Sequence, residues 1–590
     1  MVTTADMELR LRHEGWTRHG PVTVRGRAFD GENALTAEAL ARRFRESVRG
    51  TGGAEDGPLA AVAAVAAGLE GFYAAIVDAG ESAYLVADGV RSIPLYYGDD
   101  TGRVVVSDDG GTVAAAVGAD RDPVTAAEFL LTRYVTGPDT VWEGVCSTRA
   151  GEVVRLDGTP TRQTYRGYWP DTSATTGDPQ AVLARGLDRA LDRLEAVADG
   201  RRIVLPLSGG YDSRLLAASL VERGLPVTAF AFGRPGHPDV AVSREVADRL
   251  GIDWTLVAYD QAHWREWYHG PAGEQRRERG FGGDALPFLA AHPAVESLRE
   301  SGRVPPDALW CPGHTVATPG ERLPLFHGEP AKSGGSFDCV PAVEADDDPD
   351  RERVPPTVDA LVEYVLDRHY ALWVFDDPGF ERAARERIRH GLLGDRTPAT
   401  VDGPASAAAA YERWEWRGRM STFTAGDLRG YEAAGVDWWL PLWDPAYVRA
   451  WAQLGPGDRR AKRAQAALAV DRYRRVAGVS ADRAGVTDRT LAPVDRLLAR
   501  VRHTPARTVT DDGVEWEPPF LAPRSAWRYP GSHPLAWYGI VAPALLDRLP
   551  ADRSLYALRT LATLRDIDLS DPGAAVPTER VVDLPTGEPR

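Results

Sequence analysis

Between Arg202 and Tyr259 three apolar runs alternate with two amphipathic segments, and this rhythm constrains the fold more than any other feature of the chain. "RIVLPLS" (Arg202 to Ser208), "PVTAFAFG" (Pro226 to Gly233) and "DWTLVAY" (Asp253 to Tyr259) lack polar/apolar alternation, as expected of strands covered on both faces. A helix fits between the first two, from about Asp212 to Arg223, with Leu215, Leu216, Leu220 and Val221 at helical spacing, and a second fits from Pro238 to Gly251. The pattern predicts a parallel, doubly wound α/β sheet. In such sheets ligands bind beyond the carboxyl ends of the strands, which is where "SGGYDS" (Ser208 to Ser213) lies.

The 590 residues exceed what one hydrophobic core organises, so two to four domains are expected. Before the central rhythm, the first ~170 residues read as short strands divided by Gly and Asp turns, among them "PVTVRGRAF" (Pro21 to Phe29), "GFYAAIVD" (Gly71 to Asp78) and "RVVVSDD" (Arg103 to Asp109). Helical patches at Leu35 to Arg49 and Ala126 to Arg133 interrupt them, and the polar stretch Trp169 to Gln180 reads as a linker. Beyond Tyr259 the chain is helix-rich and tryptophan-rich to about Arg475, and its last ~20 residues read as a frayed end or tail.

The chain has only two lysines, Lys332 and Lys462, against 67 arginines, and a net charge of -16. A salt-adapted cytoplasm and an arginine-favouring coding bias explain this equally well, and both stay open. An acidic surface is a poor match for nucleic acid or anionic membranes. Cys146, Cys311 and Cys339 form no C-x-x-C pair, which points to a reducing compartment without a disulfide framework or zinc ribbon. The N-terminus shows no signal pattern, and the apolar run from Leu59 is too short to span a bilayer. A cytoplasmic protein is the expectation.

In the loop, Gly209 and Gly210 let backbone approach an anion, the helix start offers unpaired N–H groups, and Ser208 and Ser213 add hydroxyl donors. Asp212 would repel a phosphate unless a divalent cation lay between them, which argues for Mg²⁺. Alternatively, Asp212 caps the helix and the glycines only make a turn. Neither G-x-x-x-x-G-K-[ST] nor a G-x-G-x-x-G at the first βα unit occurs.

"SGGYDS" resembles the S-G-G-x-D-S signature of the PP-loop ATP pyrophosphatases, and three further segments narrow the resemblance to asparagine synthetase-like proteins. "AFGRPGHPDVAVSREVADRLGIDW" (Ala231 to Trp254) is similar to that family's second strand and helix. "YEAAGVDWWLPLWDPAYV" (Tyr431 to Val448) resembles its G-V-E-x-R-x-P-F-L-D box through Gly435, Val436, Asp437, Pro441 and Asp444. "LEGFYAAIVD" and "YLVADGVRSIPLYYG" look like segments of its class II glutamine amidotransferase domain. The resemblance covers roughly residues 20–475. It implies a degenerate glutaminase (Ntn-like) α+β sandwich over 1–170, an ATP-binding PP-loop domain over 180–480 with a parallel sheet and a helical C-terminal part, and a helical extension over 481–590.

The implied reaction activates a carboxylate as an acyl-adenylate, releases pyrophosphate and lets an amine displace AMP. The cofactors would be ATP and Mg²⁺, and the partners a small carboxylate such as aspartate and an amine; a homodimer is an assembly the resemblance leaves open. Ser208, Gly209, Gly210, Asp212 and Ser213 would hold pyrophosphate, with Asp212 on the metal, and Phe232 and Gly233 would flank the adenine. Asp444 and Glu432 would shape the far wall, and Lys462 would neutralise charge on the reacting phosphates. A solvent-facing lysine among Arg459, Arg460 and Arg463 is the alternative for Lys462.

Two departures stand out. Val2 follows Met1 where glutamine-dependent members carry a nucleophilic cysteine, and Cys146 reads as a buried structural thiol, so glutamine hydrolysis is not expected. The family's second pyrophosphate loop is acidic, whereas "ALWCPGHTVATPGERLPLF" (Ala308 to Phe326) offers Gly313, His314, Thr315 and Glu321 but no aspartate. His314 reads either as a base or as a loop filler, and Asp284 is a further acidic candidate. A nucleotide-binding protein without turnover is the competing expectation. A tRNA-modifying PP-loop enzyme is disfavoured by the acidic charge and scattered thiols.

Overall fold

The computed structural model describes residues 6–49, 57–100, 102–173, 175, 177–328, 353–394, 401–487, 508–510, 513–515, 533–550 and 553–582. Lys332, Cys339, most of the acidic run Glu344 to Arg353 and the last eight residues of the tail lie outside them.

Two sheets form the first part of the molecule. One has seven strands and is antiparallel, with Leu69–Asp78 paired between Val22–Asp30 and Ala83–Ala87. The other has four, built on Tyr96–Asp100 and Arg103–Ser107. Period-two geometry sorts the continuous apolar run Leu69–Asp78 onto two faces. Ala74 and Ile76 meet Tyr97, Val104 and Val106 of the second sheet, whereas Tyr73, Ala75 and Val77 meet Leu40, Phe44 and Val62 of the helices Ala37–Arg49 and Gly57–Gly68. Helix Gly110–Val117 covers the outer face of the second sheet through Val113 and Ala114. The layers therefore run helix, sheet, sheet, helix.

The central sheet comprises β1 (Ile203–Pro206), β2 (Val227–Gly233), β3 (Asp253–Ala258), β4 (Leu309–Trp310) and β5 (Asp437–Trp438), in the order β3-β2-β1-β4-β5. All four pairings are parallel. β1 is central and Ile203, Val204 and Leu205 are fully buried, as its unbroken apolar run requires. After it, helix Tyr211–Glu222 buries Leu215, Leu216 and Leu220. Helix Pro238–Leu250 ends on Gly251, whose φ of 67° closes the turn into β3.

The tryptophans that set Trp438 and Trp439 apart from the family's box have a packing role. Phe72 of the sandwich stacks edge-on to Trp439 at 4.6 Å and Phe29 does so at 6.0 Å. These rings seat the sandwich against the edge of the central sheet. Residues 533–550 and 553–582 do not stand apart either, because Trp537, Leu558 and Leu561 share one core with Phe129, Leu130, Tyr259 and Trp310. Among the described residues no helix is long and apolar enough to cross a membrane.

Candidate active site

Beyond β1 the chain turns through Ser208, Gly209 and Gly210 into the helix that starts at Tyr211. The Ser208 amide donates to Ser213 Oγ at 3.1 Å, the two serine hydroxyls lie 3.0 Å apart, and the Gly210 amide donates to Ser208 Oγ at 3.2 Å. Gly209 is needed for close approach: its amide donates to Asp239 Oδ1 at 2.8 Å, and a Cβ there would crowd that carboxylate and Val242. The helix has no side-chain cap, so Asp212 is not a capping residue.

Asp212 instead faces Lys462, whose Nζ donates to Asp212 Oδ2 at 2.7 Å and lies 2.7 Å from Glu321 Oε1. The second oxygen of Asp212 accepts from Gln465 Nε2. Gln465 is fully buried, and its orientation is set by Thr315 and Tyr447, whose hydroxyls donate to Oε1 at 2.8 and 2.7 Å. Burial alone would weaken the Lys462 ammonium, but Asp212 and Glu321 outweigh it and raise its pKa above the ordinary lysine value. The lysine is therefore a fixed positive charge. It is 13% exposed, between carboxylates that are 25% and 35% exposed, so this is neither a sealed structural pair nor a solvent-facing lysine.

The backbone that delivers Lys462 is unusual. Ala461 and Lys462 both adopt left-handed conformations, with φ of 52° and 56°, which non-glycine residues accept at a cost and which cluster at functional sites. The turn Thr318–Arg322 presses against this segment so closely that a Cβ at Gly320 would overlap the Arg459 carbonyl. Arg460 adds a bond to the Pro324 carbonyl at 2.7 Å. These two contacts bring Glu321 to Lys462 from more than a hundred residues away in sequence.

Gly313 abuts the first turn of the loop helix, a Cβ there lying 3.6 Å from the Ser213 Cβ. Beside it, His314 Nε2 is bonded to Asp427 Oδ2 at 2.8 Å, and His292 Nε2 lies 3.2 Å from Asp427 Oδ1. Burial would push the Asp427 carboxyl up, yet the bonds to His292 and His314 hold it down at about 2. His314 is thus oriented by a permanently ionised partner while its ring stays 20% exposed.

Other sequence expectations need correction. The structure does not bring Asp444 to Lys462: Asp444 is fully buried, pairs with Arg193 and caps helix Pro445–Ala452 through the Ala446 amide at 2.8 Å. Burial pushes its carboxyl up to about 6 despite Arg193. Nor does Glu432 form a wall of the site; its carboxylate is shared by Arg25 at 2.9 Å and Arg429 at 2.6 Å, a buried bridge to the sandwich. The G-V-E-type box is therefore used for docking here, because the sandwich lies against it. Asp284 is likewise engaged, by Arg91 and Tyr96.

Phe232 and Gly233 do stand at the carboxyl end of β2, with Phe232 packed 5.7 Å from Tyr259. Gly233 has φ 128° and faces the Pro534 carbonyl, which accepts from the Arg234 amide at 2.8 Å. Glu321 and Gln465 are the residues that sequence reasoning left without a role. A signal existed only for Glu321, the acid in the loop where the resemblance calls for one.

Asp212 and Glu321 are hard oxygen donors of the type Mg²⁺ takes together with phosphate and water, and the point on which both converge is held here by the Lys462 ammonium. Among the described residues no group of three or more His, Cys, Asp or Glu side chains is placed to hold a metal. The donor set thus fits a cation that is completed by a bound polyphosphate and not one held by protein alone.

Residues 184–271 match the sequence model of the asparagine synthase family, and the span contains β1, the Ser208–Ser213 loop, β2 and β3. Carboxyethyl-arginine beta-lactam-synthase of Streptomyces clavuligerus is 29% identical over 186 residues, 31% of this chain and 34% of that protein. The match thus spans about a third of the relative's length. Two solved structures, glutamine phosphoribosylpyrophosphate amidotransferase from B. subtilis complexed with ADP and GMP, and an allosteric regulatory enzyme of purine biosynthesis, are each 11% identical over 62% of this chain, covering 76% and 75% of theirs. Their TM-scores of 0.18 and 0.19 carry no argument.

Proposed function

We propose that this chain, with its asparagine synthase segment at residues 184–271, is an ATP-dependent, AMP-forming ligase that adenylates a carboxylate and transfers the acyl group to an amine. The observation that carries the reading is Lys462, held by a strained backbone between the acid of "SGGYDS" and the acid of the second loop. A compact ammonium at that junction suits charge developing on phosphates, where fixed electrostatics contribute most.

In this reading Ser208, Gly209, Gly210 and Ser213 cradle the pyrophosphate portion of ATP, and Phe232 and Gly233 lie by its base. Asp212 and Glu321 would hold Mg²⁺, which when bound screens the phosphate charge. Gln465 keeps the Asp212 carboxylate turned toward the centre. His314, backed by ionised Asp427, accepts the proton that the amine loses on attack.

The amine would be ammonia or a larger amine supplied directly, not nitrogen released from glutamine. Cys146 supports this, since burial raises its thiol pKa and works against the thiolate a glutaminase needs. The division into 1–170 and 180–480 belongs to the same proposal, with 481–590 as an extension whose described part packs into the core they share.

The test is pyrophosphate release with ATP, Mg²⁺ and a panel of carboxylic acids, with and without ammonia. Release that depends on a particular acid, and is lost in Lys462→Met, is the expected outcome. ATP binding with no release under any condition would favour a binding protein.

A further inference from the structure

Glu321 touches Lys462 on one side and lines a cavity of about 280 Å³ on the other. Four arginines line this cavity, Arg133, Arg322, Arg368 and Arg419. Among the described residues the carboxylates paired with them are few. Glu321 is engaged by Lys462, and Glu415 is the carboxylate shared at long range by Arg322 at 3.7 Å and Arg419 at 3.8 Å. Burial would neutralise Glu415, but Arg419 and Arg322 keep it ionised. His369 adds no positive charge, because burial holds its pKa down to about 4.

Arg133 is the residue that needs explaining. It terminates helix Pro123–Thr132 with φ 71°, and its backbone is tied by Leu286 and Phe129. Its guanidinium stacks on Tyr556 at 4.4 Å and Phe423 at 4.8 Å. Among the described residues it has no carboxylate partner, and its Nε is buried without an acceptor. A half-buried cation left without an anion is costly, and the stacking recovers only part of that cost. Arg419 Nε is also buried without an acceptor, and this arginine belongs to the π-helical stretch Trp416–Thr424, a geometry often found at functional sites.

We propose that this cavity binds a second anionic group, a carboxylate or a phosphate, at the far end of the same substrate whose reacting carboxylate lies at Lys462. The substrate part of the statement rests on the ligase reading, whereas anion binding by the cavity does not. Arg133 is its specificity determinant, and Arg368, exposed at the rim over Tyr364, screens the entrance.

The test uses the full chain, without ATP for the anion titrations and with ATP and Mg²⁺ for pyrophosphate release. Calorimetric titration with glutarate, with 3-phosphopropionate and with butyrate is expected to show both dianions binding at least about tenfold tighter than the monoanion, the value of one charge-assisted contact. The tighter of the two identifies the distal group. Arg133→Met should lower dianion affinity about tenfold and leave ATP affinity unchanged. Should Arg133→Met fail to fold, Arg368→Gln replaces it, with an expected loss of about threefold for a rim charge. Equal binding of butyrate and glutarate, or full dianion affinity in the variant that folds, overturns the proposal. Dianion binding without pyrophosphate release overturns the ligase reading alone. Pyrophosphate release that treats mono- and dianionic acids alike overturns the cavity assignment alone.

Discussion

Asp212 and Asp444 both sit in segments that resemble nucleotide-enzyme motifs, and both face a cation, but they do opposite work. Asp212 is a quarter exposed and shares Lys462 with Glu321 at a point open to solvent. Asp444 is sealed, shares Arg193 with Glu70, and caps a helix. Shared chemistry does not make a shared role, because access decides whether a charge meets a ligand or only holds two pieces of protein together.

Substitutions on the two sides should separate cleanly. Lys462→Met is expected to cut pyrophosphate release by on the order of 10²–10³, the scale of losing one fixed electrostatic stabiliser, with a thermal midpoint close to that of the parent. Retained turnover would remove the lysine from the chemistry. Asp212→Asn keeps the bond to Gln465 within reach while removing a charge, so release should fall by on the order of 10² and the half-saturating Mg²⁺ concentration should rise. An unchanged Mg²⁺ dependence would return Asp212 to a structural role.

Gly320→Ala tests the contact that joins the two loops. The new methyl meets the Arg459 carbonyl, so stability should drop by about 1–3 kcal/mol in denaturant unfolding, and release should fall with it as Glu321 moves from Lys462. On the structural side, Asp444→Ala should lose a cap, about 1 kcal/mol, with turnover per folded molecule intact.

The pH dependence of Asp444 gives the finest test. Its carboxyl is raised from 3.8 to about 6 in the folded chain, so the folded state binds a proton that the unfolded state has already lost. The stability it contributes is complete below about pH 4 and is lost as pH rises through 6, by about 2–3 kcal/mol. Asp444→Asn, which keeps a capping side chain, should flatten that part of the stability profile. A parallel profile in the variant would show that Arg193 compensates for burial.

Much of the central sheet was legible along the chain. Unbroken apolar runs at β1, β2 and β3, with helical spacing between them, dictate parallel strands buried on both faces, and the loop after β1 lies at their carboxyl end. β4 and β5 have two residues each, too short for any periodicity to show, and their places depend on contacts with β1 and with the sandwich. The layered sandwich was visible as short strands, but the split of Leu69–Asp78 between two cores appears only when both neighbours are in place.

For the site, local sequence determined what a single loop controls: a strand end, a glycine needed for close approach and an acid one step into the helix. Tertiary structure decided the rest. Lys462 and Gln465 meet Asp212, and Glu321 meets Lys462, because Gly320 packs on Arg459 and because residues 461–462 turn left-handed. Asp444 and Glu432 leave the site because the sandwich buries the box that carries them. Charges far apart in sequence acquire their roles only when packing sets their distance, their burial and their partners.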